Sequence, residues 1–472
     1  MKNVRLLPLT ILLILSMVLA ACGGNSSAPA DSSSSDTAAA GSDAASSDSG
    51  AAPDAAEASG TVTYWLWDSL QLPAYQKCAD DFMAANPSIT IEITQSGWDD
   101  YWSNVQTGMV AGTAPDVFTD HLAKYPEFAA KGQLVDIQPY AERDGVSLDA
   151  YIGDLADLWA RDGARFGLPK DWDTVAIAYN QEALDAAGVT ADDLNSLTWN
   201  PEDGGSFGEM LAQLTVDANG NNGLSADFDK SNITQYGFIM DANGGAYGQT
   251  QWSWLAETTG WTYNDGLYDT KYYYDDPRFA ATLQWVADQM AAGFIMPEEQ
   301  VSSLGGSAAF QSGQGALHAN GSWMIGQLTS QSPFTVGFAR LPEGPEGRKS
   351  MFNGLADSIW VGSENTEAAW QWVKYLASQE CADTVGSYGV VFPAQQSGVD
   401  NALAAYEERG LDVSAFTEQA LEEGGTFLFP VTDHASEVVA IMNPAVQSIL
   451  LGQSDAESAL STANAEVNAL FK

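Results

Sequence analysis

The sequence predicts an α/β protein of two lobes, and three observations carry that prediction. At 472 residues the chain is longer than a single hydrophobic core usually supports. Alternating apolar runs at Thr61–Trp67 and Ile89–Thr94 flank a helical segment from Leu72 to Ala85, which Asn86-Pro87 stops. That strand–helix–strand order argues a mainly parallel sheet covered by helices. The third observation is Gly167-Leu-Pro-Lys-Asp-Trp-Asp-Thr-Val-Ala-Ile-Ala-Tyr-Asn180, which sets three charges and an aromatic at the start of a buried strand, Val175 to Tyr179. Pro169 fixes its own φ and biases Leu168 toward extended geometry, so no helix runs through. A chain can cross between lobes at such a point, and clefts use a few polar groups among aromatics. The plainer alternative is that Asp171 and Asp173 solvate a loop while Trp172 plugs a core.

The N-terminus reads as an export signal. Lys2 and Arg5 precede an apolar run from Leu6 to Ala21, short for a membrane-spanning helix. It ends in Leu19-Ala20-Ala21-Cys22-Gly23, which resembles a bacterial lipoprotein cleavage box. The resemblance implies removal of residues 1–21, lipidation of Cys22 and attachment to the membrane through that lipid; the alternative is an ordinary signal peptide with a chance cysteine. Asn25 to Gly60 is Ser, Ala, Asp and Gly without an aromatic or branched aliphatic residue, so residues 22–60 are expected to form an acidic, disordered tether.

Charge and cysteine narrow the partners. The 18 Lys+Arg against 62 Asp+Glu give −44, which repels nucleic acid, anionic lipid and phosphorylated substrates. Neutral hydrogen-bonding ligands or cations remain. Cys78 and Cys381 lie in helical segments of an exported chain, so a disulfide and two buried thiols are both open readings.

In chain order, Trp98, Tyr101 and Trp102 open a helix that runs to Gly112. Pro115 to His121 is a short strand with a polar end. Ligands of open α/β sheets bind beyond the carboxyl ends of strands, which nominates Asp68, Asp120 and His121. Asp217, Asn219, Asn221 and Asp227 alternate as oxygen ligands do in a calcium loop. The glycine and the final acid of an EF-hand are misplaced, so a structural calcium competes with a solvated turn. Asp276 caps the helix beginning at Pro277, whose Phe279, Leu283, Val286 and Met290 form a core face. Trp370, Val373 and Ala377 do the same later. Val62, Tyr64 and Leu66 share one strand face and Trp65 and Trp67 the other, all mostly core. Asn353 precedes the apolar strand Ser358–Val361 and returns toward the cleft. His318 and His434 are isolated and structural.

Three motifs then carry a family resemblance: Gly112-Thr-Ala-Pro-Asp-Val-Phe118, Gly167-Leu-Pro-Lys with Tyr179-Asn180, and Ala319-Asn-Gly-Ser-Trp-Met324. In this order and spacing they resemble the extracellular solute-binding proteins of carbohydrate ABC importers, the broad group that includes maltose-binding protein. The resemblance covers residues 61–472. It implies a periplasmic-binding-protein-like fold with two α/β lobes joined by crossover segments, the first from 61–172 and 332–392, the second from 173–331 and 393–472. It puts sugar contacts at Thr119, Asp120, His121, Trp172 and Asp173, a stacking ring at Trp323, and further contacts at Tyr247, Gln249 and Trp252. Asp120 departs from the aromatic residue that some maltodextrin binders have nearby, which argues against maltose itself. A sugar offers apolar CH faces to Trp and a rim of hydroxyls to Asp, Asn, Gln and His.

The expected function is therefore a non-catalytic, monomeric receptor, needing no cofactor, that delivers a neutral mono- or oligosaccharide to ABC permease subunits. The competing reading is an extracellular glycoside hydrolase, which needs two carboxylates about 5–10 Å apart, drawn from Asp68, Asp120, Asp171 and Asp173. A metal receptor would need a histidine cluster, and the chain has three His.

Overall fold

The computed structural model describes residues 58–472. The signal segment, Cys22 and all but the last residues of the tether lie outside the described residues.

Two sheets organise the chain. In the larger, β1 (Gly60–Leu66) pairs in parallel with β2 (Ile89–Gln95) and with β3 (Val117–His121). The helices α1 (Leu72–Ala85) and α2 (Trp98–Ala111) connect them, as the alternating pattern predicts. A small hairpin, β4 (Ala160–Arg161) and β5 (Ala164–Arg165), precedes β6 (Leu168–Asp173). The smaller sheet begins one residue later with β7 (Val175–Asn180) and continues through β8 (Val216–Asp217), β9 (Ile233–Ile239), β10 (Gly315–Gly321) and β11 (Val336–Ala339). The chain then returns to the larger sheet as β12 (Ser350–Ile359), β13 (Phe392–Pro393) and β14 (Thr426–Leu428). The strand orders are 13-6-12-3-1-2, with β14 on β12, and 11-7-10-9-8.

Several expectations need correction here. The sheets are mixed rather than mainly parallel: β12 runs antiparallel to β3 and β6, and β10 antiparallel to β7. Strands that return from the other lobe enter from the opposite end, which reverses their direction. The segment 332–349 does not join the first lobe, because β11 pairs with β7. Nor does everything after 393 join the second: the helix Gln396–Glu408 packs on Gln379–Tyr388 and β13, whereas Ala435–Leu450 and Ala456–Ala469 pack on Pro277–Ala292. Lys170 to Asp173 are not a loop, since β6 is buried along its whole length.

The crossing at Thr174 is tied to the second crossing. Thr174 Oγ1 donates to the Phe416 carbonyl, and the Val175 N–H donates to Ser350 Oγ at the start of β12. A disulfide joins Cys78 of α1 to Cys381, pinning a late helix to the first one. Phe279, Leu283, Val286, Met290, Trp370 and Val373 are buried, as their helical spacing predicts.

Candidate functional site

The carboxyl ends of β1, β3 and β6 and the opposing start of β12 lie along one edge of the larger sheet. Register places Leu355 beside His121 and Asn353 beside Asp173. Across from them, the turn after β10 and the loop after β9 supply the second wall. Between the two sheets lies a cavity of about 440 Å³ lined by Trp67, Asp68, Trp98, His121, Asp173 and Asn353, and by Gln249, Trp323 and Gln327 from the other side.

Local sequence explains each position. Asp68 follows β1 and closes the turn into α1, its carboxylate accepting the Leu70 N–H at 2.7 Å, the Gln71 N–H at 3.2 Å and Gln71 Nε2 at 3.0 Å. Burial raises its pKa and these bonds oppose the rise. Trp323 stands on the short turn Ser322–Met324, with its ring folded back over Gly321. A Cβ on residue 321 would fall 1.8 Å from that ring, so only glycine admits the conformation. Trp98 opens α2 with its ring edge-on to Trp67 at 5.0 Å and to His121 at 5.7 Å. Asp173 is buried, and desolvation, then the charge of Asp171, pushes its pKa well above the usual carboxylate range. Gln249 Nε2 donates to its Oδ1 at 3.3 Å.

Asp68, His121, Asp173, Gln249, Trp323 and Asn353 thus share one cavity, while five other expected contacts lie elsewhere. Thr119 is buried in a network in which Lys170 Nζ donates to Thr119 Oγ1 at 2.8 Å and to Tyr64 Oη at 3.0 Å, and lies 3.4 Å from Asp357 Oδ1. Asp120 sits on the opposite face of β3 from Thr119 and His121, because strand side chains alternate. Its carboxyl is buried, which raises its pKa to about 8. Trp172 alternates away from Asp171 and Asp173 and stacks on Phe392 at 4.9 Å and Phe352 at 5.8 Å. Trp252 is a core residue, 4.7 Å from Phe279, with Nε1 donating to the Asn243 carbonyl. Tyr247 packs edge-on to Phe429 at 5.5 Å and does not line the cavity.

Sequence reasoning missed Trp67 and Trp98. Alternation puts Trp67 on a strand face, but β1 ends at Leu66, so alternation no longer governs it. Trp98 had a usable signal: a tryptophan at the first position of a helix, where the structure leaves it 44% exposed.

The calcium candidates behave as a turn. Asp217 Oδ1 accepts the N–H groups of Asn219 and Asn221, and Oδ2 accepts Asn221 Nδ2 and the Asp229 N–H. Asn221 Nδ2 also donates to the Asp227 carbonyl. Among the described residues no three acidic, His or Cys side chains converge as metal ligands.

A two-sheet body crossed by β6–β7 and β11–β12, with a Trp-walled cavity between the sheets, is the geometry of a binding protein. The family model described as bacterial extracellular solute-binding protein matches residues 77–407. The chain belongs to that family. Among the relatives of this solute-binding protein, a binding protein of Brucella abortus (strain 2308) is 23% identical across 89% of this chain and 95% of its own. The lactose-binding protein of Rhizobium radiobacter is 26% identical over 31% of this chain and 35% of its own. The ABC substrate-binding protein Lmo0181 from Listeria monocytogenes, solved with cycloalternan, superposes with a TM-score of 0.73 at 20% identity, covering 87% of this chain and 98% of that one. These matches support a periplasmic-binding-protein-like fold and give no support to a hydrolase. Membership places the protein outside the cytoplasm, and no helix among the described residues is long and apolar enough to cross a membrane.

Proposed function

We propose that this solute-binding protein captures a neutral sugar or oligosaccharide between its two sheets and hands it intact to the permease of an ABC importer. One observation carries the reading: three tryptophans share the cavity with Asp68, Asp173, Asn353, Gln249 and His121, and no Lys or Arg of the described residues lines it. Indole faces suit the CH faces of a pyranose, and side-chain carboxyl and amide groups suit its hydroxyls. A phosphate or uronate would meet the Asp68 and Asp173 carboxyl groups with no cation among the described lining residues to balance it. The lactose and cycloalternan relatives support the ligand class. Monomeric action and a lipid anchor at Cys22 complete the proposal, the latter resting on the cleavage-box resemblance alone.

A thermal-shift screen of neutral mono- and oligosaccharides tests it. A ligand at a hundred times its Kd should stabilise the fold by about 2.7 kcal/mol. Recovery of the sugar uncleaved after prolonged incubation is expected; release of a shorter product would move the assignment to a hydrolase. Incorporation of labelled palmitate that disappears in Cys22→Ala tests the anchor.

A further inference from the structure

The floor of the cavity holds a proton whose position the hydrogen-bond geometry determines. His121 is buried, and desolvation followed by the charge of Lys124 lowers its pKa to about 3, so its ring is neutral. A neutral imidazole has one N–H and one bare nitrogen. The Ala123 N–H donates to Nδ1 at 3.1 Å, so the proton is on Nε2. Nε2 lies 3.1 Å from one end of the Asn353 side-chain amide, and Asp173 Oδ2 lies 3.1 Å from that same end. The two ends of an amide are told apart only by their partners. Facing an N–H, this end is the oxygen. A bare carboxylate oxygen at 3.1 Å from it would repel, so Asp173 carries a proton on Oδ2.

We propose that His121, Asn353 and Asp173 form one proton-bearing chain, in which His121 Nε2–H and the Asp173 hydroxyl both donate to Asn353 Oδ1. His121, Asn353 Oδ1 and both Asp173 oxygens then have partners, since Asp173 Oδ1 accepts from Gln249 Nε2. The Asn353 nitrogen then occupies the end of the amide that is buried without a partner among the described residues, on a residue that lines the cavity and is 3% exposed. Asp171 on its own strand acts on Asp173 directly and His121 on β3 reaches it through Asn353; Lys170, Asp357 and Asp68 act on Asp171, and Lys124 acts on His121. The facing wall contributes Gln249, Trp323 and Gln327, all uncharged. Asp171 is the charge that acts against ionising Asp173, and it acts in the same direction as burial.

Nitrogen-15 spectra of the histidine-labelled protein at pH 7, together with infrared spectra of the carboxyl region, test this without any sugar. His121 should be protonated at Nε2 and bare at Nδ1. A carbonyl band from a protonated carboxyl should be present and should weaken in Asp173→Asn, while the His121 tautomer stays unchanged because the new amide N–H donates in place of the hydroxyl. A His121 protonated at Nδ1, or at both nitrogens, would overturn the assignment in the unaltered protein. Identical carboxyl bands in the parent and a folded Asp173→Asn would overturn the proton on Asp173. Neither readout depends on the sugar screen, so this chain and the receptor reading fail separately.

Discussion

The two crossing strands β6 and β12 present opposite chemistry on their two faces. Asp173, Asn353 and Leu355 face the cavity, whereas Trp172 and Phe352 stack behind it in an apolar groove with Leu155, Leu403 and Leu428. Neighbours in sequence, Trp172 and Asp173 or Phe352 and Asn353, therefore have unrelated roles. The lesson is that a functional motif on a strand must be read at every second residue. β3 repeats it, with His121 at the cavity and Asp120 sealed behind.

The comparison can be broken by exchanging the effects of its two faces. The largest expected effect is behind the cavity. Trp172→Ala removes a ring stacked on Phe392 and Phe352 and should cost about 3–5 kcal/mol in a denaturant melt. Its sugar affinity should stay within about threefold, under ~0.7 kcal/mol. Loss of binding at unchanged stability would place Trp172 at the ligand after all.

On the cavity side the order reverses. Trp323→Ala should weaken sugar binding by upward of ~2 kcal/mol, about thirtyfold, by calorimetry. Its unliganded stability should change by no more than about 1 kcal/mol, because the ring is only half-buried.

The pair on β3 sharpens the contrast through pH. Asp120, with a folded pKa of about 8 against about 3.9 unfolded, binds an extra proton when folded, so its contribution is lost as pH rises through that window. His121, lowered to about 3 from about 6.5, contributes stability that is lost as pH falls below about 6.5. The two oppose each other between about pH 4 and 6.5, leaving Asp120 unopposed above that. Stability should therefore fall between pH 6.5 and 8 by up to ~1.4 kcal/mol per unit for this carboxyl. Asp120→Asn should flatten that fall, and an unchanged slope would show that Asp120 is ionised when folded.

The smallest effect is expected far from both faces. Burial raises the pKa of Asp217 and its four hydrogen bonds more than reverse the rise, holding it at about 2. Its lone pairs are committed to the turn, so millimolar calcium should leave the melting temperature unmoved. A clear rise would make the loop a cation site.

The sequence by itself determined the α/β class, the order of strands and helices in the first lobe, the crossing near Thr174 and the ordered motifs of the binding-protein family. These are local signals: period-2 and period-3.6 patterning, Pro169, Asn86-Pro87 and the glycine before Trp323. It also nominated Asp68, His121, Asp173, Gln249, Trp323 and Asn353, because strand ends and motif positions fall near a cleft. Only the tertiary structure decided which neighbours turn inward and which lobe each late segment joins. Thr119 looks as polar as His121 in the sequence, but Lys170 and Asp357 claim it from distant strands. Trp67 looks like a core residue, and Trp98 only like the start of a helix, until the end of β1 and the start of α2 are brought to the same edge. Pairing of Cys78 with Cys381, and of β11 with β7 rather than with the first lobe, depends on contacts between residues far apart along the chain. Local propensity carries no information about such contacts, since they form only when the whole chain closes on itself.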